Sequence, residues 1–260
     1  MFTKEDLKKQ LEEMGICPTD TVLIHTSLRA VGPIEGGADA FIDAFCEYLS
    51  DGLFVVPTHT WDAVNAENPV FDVRTAVPCI GTVPKIAAKR EDGIRSLHPT
   101  HSVWAHGKDA EDYVANEENA GSPGAPGFCW DKLADRGAKI LLIGVKHDRD
   151  TFIHSVDEYA GVENRIGEPF EVAITDRNGE VMKKFFRPHK CSRTNDVSQF
   201  YVNFEKPLIE LGAQTFGKLG NAEVRVVDAK MTREIITRMY HRADEAFFTQ
   251  FIEMPEELYR

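Results

Sequence analysis

The segment Lys139-Ile-Leu-Leu-Ile143-Gly144 is apolar without the alternation of a strand that has one wet face, so it must be covered on both sides. A strand of that kind belongs inside an α/β sheet. Two further runs, Thr21-Val-Leu-Ile24 and Leu53-Phe-Val-Val56, read as strands. Between them lie the loop His25 to Gly32, the pair Gly36-Gly37 and an amphipathic helix carrying Phe41, Ile42, Phe45 and Leu49. This is a β-loop-α-β unit. With 260 residues and no hinge-like stretch, the expectation is one domain over 1–260, a mixed α/β sandwich with a central, largely parallel sheet flanked by helices.

The remaining chain fits that plan. Thr3 with Asp6 forms a capping box for a first helix with Leu7, Leu11 and Met14 on its apolar stripe, ended by Gly15. Residues 61–80 lack periodicity and read as a long loop. A helix near Val83 to Arg90, a strand Val103 to Ala105, a Gly/Pro turn cluster at 121–127 and a helix near Phe128 to Ala134 follow. Residues 169–174 and 181–186 flank Asp176-Arg-Asn-Gly179 as a hairpin. Residues 197–211 look helical, Glu223 to Val227 is a late strand, and a helix from about Thr232 to Phe248 closes the chain.

The chemistry concentrates in Asp150-Thr-Phe-Ile-His-Ser-Val-Asp-Glu-Tyr159. Asp150 reads as an N-cap, and a helix over 151–160 puts Ile153, Val156 and Ala160 on one apolar face with His154 beside it. Asp157 and Glu158 then flank His154 from the next turn. A carboxylate there holds one imidazole nitrogen and fixes the tautomer, which general-base catalysis needs. Asp157 falls about 40° from Ile153 on the helical wheel and Glu158 about 140°, which favours Asp157 as the buried partner. An ordinary surface helix with an incidental ion pair fits the same spacing.

In open α/β sheets ligands bind beyond the carboxyl ends of the strands, and His25, Thr26, Ser27, Thr58 and His59 gather there. The polar loop Arg95-Ser-Leu-His-Pro-Thr-His-Ser102 precedes another strand. Nine histidines raise a metal hypothesis, but neither His98 with His101 nor His147 with His154 has a metal-ligand spacing, so no metal is expected. Five cysteines, without a C-x-x-C pair, suggest reduced thiols, and Cys191 in the basic segment 188–193 is the candidate nucleophile of a competing cysteine- or metal-dependent hydrolase. A net charge of −12 argues against nucleic acid as a partner. No apolar run approaches the roughly 20 residues that span a bilayer, and a charged N-terminal helix with no signal peptide ahead of it points to the cytoplasm.

Taken in order, Val22-Leu-Ile-His-Thr-Ser-Leu-Arg-Ala-Val-Gly32, Pro57-Thr58, Arg95 to Ser102, Leu141 to Gly144, Thr151 to Asp157 and Phe216 to Ala222 resemble the aminoglycoside N3-acetyltransferase family over nearly the whole chain. The resemblance implies acetyl transfer from acetyl-CoA, as co-substrate, to a primary amine of a small polar molecule, the aminoglycoside 3-amino group foremost. It implies His154 as base, with Asp157 at the position of the motif's acid and Glu158 adjacent. His25 and the Thr26-Ser27-Leu28 amides would hold the carbonyl oxygen. Thr26, Ser27, Leu28, Arg29, Gly32, Arg95, Ser96, His98 and Ser102 would receive pantetheine and phosphates, and Thr58, His59 and His189 the acceptor. His189 and Lys190 in Pro188 to Cys191 also admit a different amine, such as an amino-phosphonate. A monomer or homodimer is expected.

Overall fold

In the computed structural model, which describes residues 1–190 and 196–260, ten strands divide between two sheets. These are β1 (Thr21–Thr26), β2 (Leu53–Pro57), β3 (Val70–Asp72), β4 (Ile94–Arg95), β5 (Val103–Gly107), β6 (Lys139–Ile143), β7 (Phe170–Thr175), β8 (Val181–Phe186), β9 (Gln214–Leu219) and β10 (Ala222–Asp228). The large sheet runs β4-β5-β2-β1-β6-β10-β9. Only β2, β1 and β6 are parallel to one another, and they are the three continuous apolar runs. The outer strands pair antiparallel, so the parallel part of this mixed sheet is its centre.

The lack of alternation has the expected cause. Leu23, Leu53, Val55, Ile140 and Leu142 point into one core with Trp130, Phe152 and Phe204. Val22, Ile24, Phe54, Val56, Leu141 and Ile143 point into the other with Leu7, Phe41 and Phe45. Each such side chain contributes roughly 1.5–3 kcal/mol on burial, so the centre of this sheet supplies much of the stability. The Thr3/Asp6 capping box is present and Gly15 has φ of 77°, which ends the first helix.

Three differences from the expected elements follow from tertiary pairing. Residues 61–80 are not all loop, because Val70–Asp72 joins the hairpin as β3, parallel to β7. The hairpin itself is present as β7 and β8, and with β3 it packs Phe71, Val172, Ile174 and Phe186 into a third cluster. Gln214–Leu219 forms β9 against β10. The closing helix stops at Tyr240 and a separate short helix spans Glu245–Phe248. Among the described residues no helix is long and apolar enough to cross a membrane.

Candidate active site

Helix Phe152–Tyr159 leaves the carboxyl end of β6 through a short 3-10 turn, His147–Arg149. Its apolar face, Phe152, Ile153 and Val156, is fully buried in the core. That anchorage carries His154 to the rim, where its side chain is 12% exposed, and turns Asp157 inward to 1%. The helical phase read from the sequence holds. The capping role of Asp150 does not, since Thr151 is the N-cap and the Asp150 carboxylate is bonded to His147 instead.

Asp157 does not touch His154 directly, because its Oδ2 lies 4.0 Å from Nδ1. Tyr201 stands between them, its hydroxyl 2.5 Å from Asp157 Oδ2 and 2.8 Å from His154 Nδ1. A phenol has one proton and gives it to the carboxylate. The Tyr201 oxygen therefore accepts from His154 Nδ1–H, and the lone pair of the neutral imidazole lies on Nε2. Asp157 also accepts from Tyr240 at 2.6 Å and from Arg165 Nε at 3.1 Å. Burial raises its pKa to about 6 against the opposing pull of Arg165 and the two tyrosines.

Glu158 faces elsewhere. It accepts from Gly124 N at 2.6 Å and from Ser122, and lies 3.1 Å from His189 Nε2. Gly124 is required there, since a Cβ would sit 2.6 Å from Ser155 Cα. His189 is placed by the pairing of 165–167 with 188–190, and its ring centroid lies 4.2 Å from that of His154. Aromatic contacts continue from His189 to His101 and His59, then to Trp130 and His25. Burial is the largest cause lowering the pKa of His154, His59 and His101 well below the usual value, of His25 to about 4 and of His189 to about 3. The wall is thus neutral near pH 7. Beside Glu158 a cavity of about 410 Å³ is lined also by Ser122, Val162, Ile166 and Arg187, a size typical of small-ligand sites.

His154, Asp157, Glu158 and His189 therefore converge, with His59 and His25 further along the same wall. The loop expected to receive phosphates is different. Arg95 is 5% exposed, and its guanidinium donates to the carbonyls of Val73, Ala76 and Thr58 and to Ser102 Oγ, over the Phe71 ring. Four of its five N–H donors are engaged inside the protein, and with its burial this argues against the expected phosphate role. Thr58, expected at the acceptor, is fully buried against Ser102 Oγ at 2.9 Å. Ser96 Oγ accepts from Val103 N, and His98 Nδ1 from the amides of Thr100 and His101. These residues brace the loops rather than face a ligand.

Arg95→Ala is accordingly expected to cost roughly 2–5 kcal/mol of stability, by orphaning buried carbonyls, and to leave CoA affinity unchanged. Denaturant unfolding and a CoA titration of the same variant check both halves, and weakened CoA binding in a stably folded variant would restore the phosphate role.

At the β1 end, the Ser27 amide donates to the Ile143 carbonyl at 2.9 Å and has nothing left for a second oxygen. Thr26 and Leu28 flank it half-buried, and Arg29 is exposed. Gly32 has φ of 90°, and a Cβ there would meet Asn221 at 2.5 Å. Cys191 lies outside the described residues. Sequence reasoning missed Tyr201, Tyr240 and Arg165, which reach Asp157 from segments 8 to 83 residues away. Their only signal was that an acid on a buried helix face must find donors.

Residues 23–241 match the model of the family described as aminoglycoside 3-N-acetyltransferase. The aminoglycoside N(3)-acetyltransferase III of Serratia marcescens is 24% identical over 253 residues, covering 88% of this chain and 94% of that protein. The crystal structure of aminoglycoside acetyltransferase AAC(3)-IIb superposes with a TM-score of 0.80 at 24% identity, covering 95% and 99% of the two chains. The binary structure of AAC-IIIb with CoASH superposes at 0.78 with 20% identity, covering 94% and 98%.

Proposed function

The chain belongs to the aminoglycoside 3-N-acetyltransferase family of acyltransferases, and on that premise we propose that it moves the acetyl group of acetyl-CoA to a primary amine, with His154 Nε2 as the general base. The observation that carries the base assignment is the Tyr201 hydroxyl, which leaves His154 with its lone pair on Nε2. An amine arrives as an ammonium and must lose a proton before its nitrogen attacks the thioester carbon. A neutral imidazole takes that proton. Burial makes it a weak base, and Asp157, behind Tyr201, offsets this by stabilising the imidazolium as it forms.

CoA as the second ligand is supported by the complex of the AAC-IIIb neighbour, and exposed Arg29 is the cation at the β1 end suited to its phosphates. The acceptor belongs in the cavity lined by Glu158, whose carboxylate lies 3.1 Å from His189 Nε2. An aminoglycoside amine is the first choice by family, and Arg187 in the same lining favours including anionic amines, amino-phosphonates among them, in any screen. The chain acts as one unit over 1–260, in the cytoplasm.

The test is thiol release from acetyl-CoA against aminoglycosides, amino sugars and amino-phosphonates. At least one class is expected to turn over, and an absence of any melting shift with millimolar acetyl-CoA or CoA would sink the reading. The acid limb of kcat is expected near pH 6. Asp157, its pKa raised to about 6 by burial, takes up a proton as the pH falls through that value. His154, already well below 6.5, stays neutral there. An acid limb unchanged in Asp157→Asn would assign it to another group.

A further inference from the structure

A second histidine and carboxylate face each other at the end of β1, and the chemistry of His154 leaves them unused. His25 Nε2 and Asp150 Oδ1 are both buried and have no partner among the described residues, yet they lie 4.0 Å apart. The other Asp150 oxygen is engaged, since His147 Nδ1 lies 3.1 Å from Oδ2 and His147 Nε2 lies 2.7 Å from Gln214 Oε1. The string Gln214, His147, Asp150 therefore ends in one free acceptor, aimed at His25. A buried polar atom left unpaired is destabilising. Two that face each other at this distance come into direct hydrogen-bond contact by a small contraction.

A carboxylate oxygen can only accept, so the His25 proton that satisfies it must sit on Nε2. We propose that Asp150 holds His25 in the tautomer protonated at Nε2, which makes Nδ1 a second proton acceptor of the site. This replaces the donor role expected for His25 beside the carbonyl oxygen, because a ring nitrogen with a lone pair repels an oxyanion. Asp150 is the positioning residue, and His147 with Gln214 positions Asp150.

The role in turnover rests on the acetyl-transfer reading. An ammonium carries three N–H protons and the amide product keeps one, so two must leave. His154 takes the first. After the nitrogen has bonded to the thioester carbon, His25 Nδ1 takes the second from that nitrogen. The carbon–sulfur bond then breaks with its electron pair on sulfur, and His25 passes its proton there, giving free CoA thiol. The last transfer is downhill, from an imidazolium that burial lowers to a pKa of about 4 to a thiolate whose conjugate acid titrates at about 8.5.

The experiment is ring-nitrogen NMR of the full chain labelled with ¹⁵N-histidine near pH 7, with His25 assigned from the signals missing in His25→Asn. It needs no substrate, so a failure of the acetyl-transfer reading leaves it intact. His25 is expected to show an unprotonated Nδ1 and a protonated Nε2. Asp150→Asn keeps that pattern, since an amide oxygen still accepts, whereas Asp150→Val, similar in volume and without an acceptor, loses it. A protonated Nδ1 in the unmutated protein, or an unchanged pattern in Asp150→Val, overturns the proposal. If the valine variant does not fold, the unmutated pattern alone decides.

Discussion

His154→Ala is expected to lower kcat by about 10²- to 10⁴-fold, the span over which a positioned general base acts, while acetyl-CoA still raises the melting temperature. The two halves separate because the imidazole is held from behind by Tyr201 and from the side by His189. Its anchoring contacts lie among the protein's own side chains, and its loss removes a proton acceptor from the rim. Rates above pH 9 are expected to recover part of the deficit, since a larger fraction of the acceptor amine then arrives deprotonated. A variant that turned over normally would mean that the substrate loses its proton elsewhere, and a variant that no longer bound CoA would make His154 a binding residue.

Tyr201→Phe carries the second large effect, a fall in kcat of roughly 10²-fold, at the lower end of the same range. The substitution keeps the ring and its packing against Phe204 but deletes the oxygen that separates Nδ1 from Asp157. Asp157 keeps Arg165 and Tyr240, so the fold should tolerate the change. His154 loses its tautomer control and its route to the carboxylate. Asp157→Asn is harsher, because it also leaves the buried Arg165 guanidinium without its full counter-charge. Breaking a buried pair by removing one partner costs roughly 3–5 kcal/mol. Glu158→Gln should act through His189 and the acceptor, raising KM more than it lowers kcat. The decisive measurement is the double variant His154→Ala with Tyr201→Phe. If the two act as one unit, it is no slower than His154→Ala alone, whereas multiplied losses would give Tyr201 a separate job.

Part of this site was legible in the chain and part was not, and the division follows sequence distance. The phase of helix 152–159 was readable because Ile153, Val156 and Asp157 are neighbours on a surface of fixed geometry. The same reasoning could not show that Asp157 stops 4.0 Å short of His154, because the atom that fills the gap comes from Tyr201, 44 residues on. Arg95 was misjudged for a related reason. A lone arginine in a polar loop reads as a solvent-facing cation, yet the folding of 73–76 and 58 around it supplies three carbonyls and buries it.

The sequence by itself determined the three buried central strands, the β-loop-α-β unit, the hairpin at 176–179, the cap at Thr3 and the family. All of these are encoded within a turn or a strand length, or in the order of short motifs. Only the tertiary structure decided which strands turn antiparallel, that 70–72 pairs with the hairpin, and which of the nine histidines share a wall. It also decided how each proton is held. A tautomer is set by the group facing the second ring nitrogen, and for both His154 and His25 that group arrives from a distant part of the chain.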